Sequence, residues 1–345
     1  MKMWRTGVIV LIASVRFVFA ESEPKELRLA AGATASQAEW EKVHRPAILA
    51  RMQEVMGPLP RHDRKRSLNV KIQEEVDCGE YVRRLITYEP EPQSTTPAYL
   101  LIPKRVLNGN AKAYGMLCLH QTRAEGHKVV VGLADSPTDA YAVELVKRGY
   151  VCVAPPYPLL ANYAPDLRAL GYQSGTMKAI WDNIRALDLL ETLPFVRKGS
   201  FGAIGHSLGG HNGLYTAVFD ERIKVVATSC GFDSYRDYKK GDIRGWTSER
   251  YMPRLLNYTA ETRPFDFHDV LAAIAPRTIF VNAPMGDGNF NWKSVDRVVE
   301  AALPVFQLYK AEGNIAVEHP DEGHVFSDAM RERAYEAIEN VLPPK

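Results

Sequence analysis

The chain has 345 residues, 46% of them hydrophobic and 24% charged, with 43 Lys and Arg against 41 Asp and Glu. That composition excludes a disordered chain, a collagen-like chain and a polytopic membrane protein. A formal net charge of +2 offers no basic excess for nucleic acid and no acidic block for a solvating tail.

At the start, Lys2 and Arg5 precede an apolar run from Gly7 to Ser14, and Val18-Phe19-Ala20 supplies a small-residue cleavage site. This predicts a secretory signal removed after Ala20, although Arg16 interrupts the stretch; the alternative is an uncleaved anchor. The run is short for a membrane span, and no Cys follows Ala20 for a lipid. Residues 21–345 are therefore expected to be secreted or periplasmic, nearly neutral, and to bind neither nucleic acid nor membrane. Export permits disulfides. Yet Cys118, Cys152 and Cys230 lie in or beside apolar runs with no C-x-x-C spacing, so they read as small core residues. A Cys118–Cys152 bridge between neighbouring strands is the alternative.

Residues 36–59 are expected to form a helix with Trp40, Val43, Ile48, Met52, Val55 and Met56 on one face, ending at Met56-Gly57-Pro58. The charge run 61–66 reads as a solvated loop. Strand-like runs follow at 68–72, 81–88 and 98–102, a β-meander with a Pro-rich turn. From residue 113 the rhythm changes to alternating strands and helices. Strands are predicted at 116–119, 150–154, 201–204, 225–229 and 278–282, with a last one at 305–308 or 315–317. Helices are predicted at 139–148, 176–192, 208–219, 295–302 and 327–342. This α/β alternation implies one domain over 21–345, with a mostly parallel sheet covered by helices on both faces. Within it, 21–112 is the helix and meander, and 113–345 the core. The connection 231–268 is far longer than usual. It reads either as a lid or binding loop, or as a helical insertion packed on the sheet.

The sharpest motif is Gly205-His206-Ser207-Leu208-Gly209, preceded by an apolar strand and followed by a helix. A nucleophile on such a tight turn is lifted clear of the backbone, and glycines two residues either side avoid collision with neighbouring elements. Ser207 is the expected nucleophile. A serine hydroxyl needs a base. His324, in the loop before the terminal helix, is expected to be that base in preference to His319. His206 and His211 read as structural, and His120 as shaping the loop after an early strand. The orienting acid is expected at Asp287, in a Gly-flanked loop beyond strand 278–282, with Asp233 as runner-up. Backbone N–H groups of Leu208 and Gln121 are the expected oxyanion donors. Tyr and Trp residues of 231–268, Trp246 among them, are expected to line the substrate cleft with Tyr157 and Tyr163.

Several segments carry a family resemblance: Met56-Gly57-Pro58-Leu59-Pro60, Leu119-His120-Gln121-Thr122, Trp181-Asp182-Asn183-Ile184-Arg185-Ala186, Ile204 to Asn212, and Asp321 to Phe326. On these the chain resembles the α/β-hydrolases of the bacterial dienelactone-hydrolase and acetyl-xylan-esterase-like group. The order Ser207, Asp287, His324 is the order of that fold. Dienelactone hydrolases proper use a Cys nucleophile where this chain has Ser207. The resemblance therefore implies ester hydrolysis through an acyl-serine, with carbohydrate esters as the substrate class of exported relatives. No metal or nucleotide motif occurs, so no cofactor is expected. A serine peptidase of the same fold and a non-catalytic binding protein on that scaffold are the competing readings.

Overall fold

Strand residues alternate between two cores, and that alternation builds the molecule. The computed structural model describes residues 36–344 apart from 108, 110 and 136–138. The signal-like stretch 1–20 lies outside the described residues. Among those described, strands β1 (Lys71–Asp77), β2 (Tyr81–Tyr88), β3 (Thr96–Pro103), β4 (Ala113–Leu119), β5 (Val151–Ala154), β6 (Val196–His206), β7 (Ile223–Ser229), β8 (Thr278–Asn282) and β9 (Ile315–Glu318) form one sheet. Its order is β1-β2-β3-β5-β4-β6-β7-β8-β9. β1 to β3 are antiparallel, and β3 pairs antiparallel with β5 through Tyr99 to Leu101. From β5 to β9 all pairings are parallel.

The longer helices are α1 (Arg45–Met56), α2 (Tyr141–Arg148), α3 (Gly175–Thr192), α4 (Leu208–Phe219), α5 (Phe267–Ile274), α6 (Trp292–Leu308) and α7 (Asp328–Val341). Leu117, Val153, Ala203, Val226 and Ile279 point into a core shared with α1, α3, α4, α5 and α6. Their neighbours Met116, Cys152, Ile204, Val225 and Phe280 point into the opposite core, with α2 and α7. A period of two puts successive side chains on opposite faces. Both faces are covered, as parallel sheets require.

Two expectations need correction and two open alternatives are settled. The first strand spans Lys71–Asp77 rather than 68–72, because Leu68 is buried beside the sheet while the strand itself is a charged, exposed edge. It carries a bulge between Ile72 and Glu74. Residues 305–308 belong to α6, so the last strand is Ile315–Glu318. The helix over 36–59 is broken: a π-turn at Trp40–His44 precedes α1, and Gly57, at φ 91°, ends it. All four cysteines are free, so no Cys118–Cys152 bridge forms. No helix among the described residues is long and apolar enough to cross a membrane.

Candidate active site

β6 ends at His206 and α4 begins at Leu208, leaving Ser207 alone between them at φ 52°, ψ −117°. A non-glycine residue in that region is strained and is held there by its surroundings. The Ser207 N–H donates to the Ser229 carbonyl on β7 at 2.7 Å. The flanking glycines are required by close backbone approach. A Cβ on Gly205 would lie 2.3 Å from the Gly209 carbonyl, and one on Gly209 would lie 2.0 Å from the Leu119 carbonyl oxygen. Leu208 opens α4, so its N–H has no helical carbonyl to bond.

The loops after β8 and β9 are stitched together and deliver two more side chains. Met285 N–H donates to Pro320 O and Gly286 N–H to Glu322 O, each at 2.9 Å. The Val325 carbonyl is tied to the sheet by the Asn282 amide at 3.2 Å and the Cys230 thiol at 3.5 Å. Between these anchors, His324 Nε2 lies 3.0 Å from Ser207 Oγ, and His324 Nδ1 lies 2.9 and 3.0 Å from the two Asp287 oxygens. A carboxylate only accepts, so Nδ1 carries the proton and Nε2 presents a lone pair to the Ser207 hydroxyl. Burial pushes the Asp287 carboxyl up. The His324 ring and the Asn289 and Phe290 N–H groups more than offset this and hold it below the ordinary carboxylate range.

The structure places Asp233 elsewhere. One of its oxygens accepts from Asn291 N–H at 3.1 Å and the other has no partner. Burial pushes its carboxyl up to about 8. His319 is also turned away, paired with Asp296 at 2.8 Å and the Ala283 carbonyl at 2.7 Å. His120 is buried and bridges Gln121 O (2.8 Å) and Tyr157 N–H (2.9 Å), which fixes the turn that carries Gln121. Burial lowers its pKa to about 4, so it stays neutral. His206 lies tilted against His324 with ring centres 5.0 Å apart, and burial holds it down at about 4. His211 donates to the Gly231 carbonyl at 3.0 Å, and burial lowers it to about 3. Cys230, Asp287 and His324 could each turn one ligand atom toward a metal within 4.8 Å of the others. However, Nδ1–H is committed to Asp287, and burial raises the thiol well above its ordinary value, which leaves it protonated.

A pocket of about 290 Å³ opens over Ser207, with Leu208, Gln121 and His324 at its base. Trp246, Tyr238, Tyr251 and Phe290 form its aromatic walls, with Thr122, His211 and Asn289 between them. Of the three aromatics expected at a cleft, Trp246 lines this pocket and Tyr157 and Tyr163 do not. Tyr157 is buried with its hydroxyl on Thr176 and the Arg250 carbonyl. Tyr163 donates to Asp182 at 2.8 Å inside a sealed polar cluster. In both, a buried partner for the phenol competes with solvent. Phe290 and Asn289 were missed; their nearness in sequence to Asp287 was the available signal. The cluster around Tyr163 was missed as well. There, buried Lys178 pairs with Asp182 and, at 3.0 Å, with Glu91, which accepts from Tyr172.

The long connection divides its aromatics. Phe232, Tyr235 and Phe267 enter the core, Phe232 and Phe267 stacking at 4.9 Å, while Trp246 spans core and pocket. Tyr235 meets Trp246 edge-on at 5.3 Å.

No family model matches the chain. The Bacillus subtilis protein YtaP, whose name carries only the general word hydrolase, is 25% identical over 164 residues. The match takes in 47% of this chain, which spans about half (53%) of YtaP's length. Among solved structures, a glucuronoyl esterase from Solibacter usitatus superposes with a TM-score of 0.75 at 18% identity, over 92% of this chain and 99% of that one. A glucuronoyl esterase from Teredinibacter turnerae gives 0.66 at 17% identity, over 91% and 89%. Acetyl xylan esterase 1 from a Thermoanaerobacterium species gives 0.56 at 15% identity, over 86% and 92%. Likeness at these identities establishes the fold: the chain has the α/β-hydrolase fold, with Ser207 on its strand-to-helix turn.

Proposed function

We propose that this protein is an exported serine carboxylester hydrolase acting on acylated carbohydrate or another small ester. The observation that carries the reading is the single imidazole of His324, within hydrogen-bond reach of Ser207 Oγ on one side and of Asp287 on the other. In the reaction, Ser207 Oγ attacks the ester carbonyl as its proton passes to His324 Nε2. The carbonyl oxygen, now negative, is received by the Leu208 and Gln121 N–H groups, each such donor being worth about 10²–10³ in rate. Collapse breaks the bond to the alcohol oxygen, which takes the proton from Nε2. Water then repeats the sequence on the acyl-serine, releasing the acid. Asp287 keeps the Nδ1–H tautomer and stabilises the imidazolium that forms.

Carbohydrate is favoured by the aromatic walls, which suit a sugar ring, and by the activities named for the structural neighbours. Export is favoured by the pattern of residues 1–20. The test is an initial-rate panel on the purified protein beside Ser207→Ala, with 4-nitrophenyl acetate, acetylated xylan, a glucuronoyl methyl ester and an aminoacyl anilide. Ser207-dependent turnover of the esters is expected. Cleavage of the anilide alone would move the assignment to a peptidase, and Ser207-independent turnover would remove the nucleophile.

A further inference from the structure

Two cavities meet at His324, and their walls differ in charge. The pocket over Ser207 has no Asp, Glu, Lys or Arg among its lining residues. Its two other histidines, His206 and His211, are held neutral by burial. The ionised group closest behind its base is Asp287, bonded to His324, and it is negative. The second cavity, about 760 Å³, shares Gln121, His206 and His324 with the first but does not touch Ser207. Arg123, Asp139 and Asp328 stand in its wall.

The chemistry assigns one cavity to each half of an ester. The small pocket holds the nucleophile and both oxyanion donors, so the carbonyl carbon and its acyl substituent sit there. The leaving oxygen must reach His324 Nε2 to take its proton, which brings the alcohol against His324, where the larger cavity that shares this ring has room for it. A carboxylate on the acyl group would lose its water without gaining a cation, and burying an uncompensated charge is strongly unfavourable. Lys239 is a candidate counter-ion, since it follows Tyr238 of the wall and its ammonium donates to the carbonyl of Gly288, beside Asn289. It is not part of the wall. We infer that the site takes esters of uncharged acids, no larger than about one sugar ring on the acyl side, and places any charged or bulky part of its substrate on the alcohol side. This rests on the esterase reading above and narrows it.

Two matched pairs test it, each rate being divided by the ester's own hydroxide-catalysed rate. On the acyl side, mono-4-nitrophenyl adipate is compared with 4-nitrophenyl hexanoate, which has the same number of acyl carbons. The anionic ester should be worse by about 100-fold in kcat/KM. On the alcohol side, 4-acetoxybenzoate is compared with phenyl acetate, and the two should agree within about tenfold, because that charge stays near solvent. Thr122→Lys, at the exposed rim of the small pocket, should raise the adipate-to-hexanoate ratio by about tenfold. Adipate turned over as well as hexanoate would overturn the inference, and loss of that turnover in Lys239→Met would identify the cation responsible. An acetoxybenzoate penalty as large as the adipate one would overturn the division between cavities. A pocket of this volume has room for six acyl carbons, so failure on hexanoate alone also counts against it. Failure of every ester in a Ser207-dependent assay would instead remove the esterase reading itself, and the inference with it.

Discussion

Two polar clusters of this molecule differ in access: one meets a cavity and the other is sealed. Ser207, Asp287 and His324 lie beyond the ends of β6, β8 and β9, with Ser207 and His324 lining an open pocket. Lys178, Glu91 and Asp182 sit beside the sheet with no exposure, closed over by Tyr163 and Tyr172. Both contain shifted carboxyls: Asp182 is pushed up to about 6 by burial, against the pull of Lys178. A perturbed titratable group therefore marks buried charge, and access decides whether that charge does chemistry. The two clusters also differ in how they are held. The candidate triad is fixed by backbone contacts at glycines and by the Val325 carbonyl, whereas the Lys178 cluster is fixed by its own side-chain bonds.

The contrast is sharpest in how substitutions divide between activity and stability. Asp287→Asn should lower kcat by about 10³–10⁴ with little loss of stability, because the amide leaves the imidazole in the wrong tautomer. Steady-state rates with a urea melt would show both. Lys178→Met should do the reverse. It strands two buried carboxyls and should cost about 3–5 kcal/mol by urea unfolding, with kcat of the folded fraction unchanged within about threefold. A large kcat loss in this variant would break the comparison, since it would tie the sealed cluster to the reaction.

Asp233 provides an intermediate case. Its folded-state pKa, about 8, is raised above the ordinary carboxyl value of 3.8. Between those values the unfolded chain has released a proton that the folded chain still holds, so stability from this group is fully present below about 4 and lost as pH rises toward 8. Asp233→Asn should remove that loss and make the protein more stable at pH 8 by on the order of 2 kcal/mol, with a flatter pH profile in thermal melts. A fall in activity like that of Asp287→Asn would reinstate Asp233 as the acid. The smallest effect belongs to Tyr163→Phe, which deletes one hydrogen-bond donor to Asp182 and should cost about 1 kcal/mol, leaving ester turnover unchanged.

Much of the fold was legible from short apolar runs alternating with helical stretches, as in β8 and α4, whose bounds match the expectation. The site was legible where spacing reflects sterics. Gly205 and Gly209 are forced by approaches under 3 Å, so their spacing around Ser207 carries structural information. His324 and Asp287 could be chosen because loops beyond parallel strands gather at one sheet edge. Tyr157, Tyr163 and the Lys178 cluster were not legible. Whether a phenol faces a cleft or a buried partner depends on contacts such as Tyr163 to Thr96, far apart in sequence. β1 was misplaced because an edge strand of mixed charge carries little apolar pattern of its own.

That same edge bears on how the molecule behaves at high concentration. A sheet whose outer strand offers unpaired N–H and C=O groups invites a second copy to extend it. Here the strand carries Lys71, Glu74, Glu75 and Asp77, and its bulge after Ile72 breaks the regular spacing a second strand would need. The opposite edge, β9, is only four residues long. Neither rim offers a long, flat template, so growth of fibres by edge-to-edge strand addition is disfavoured at both sides of the sheet.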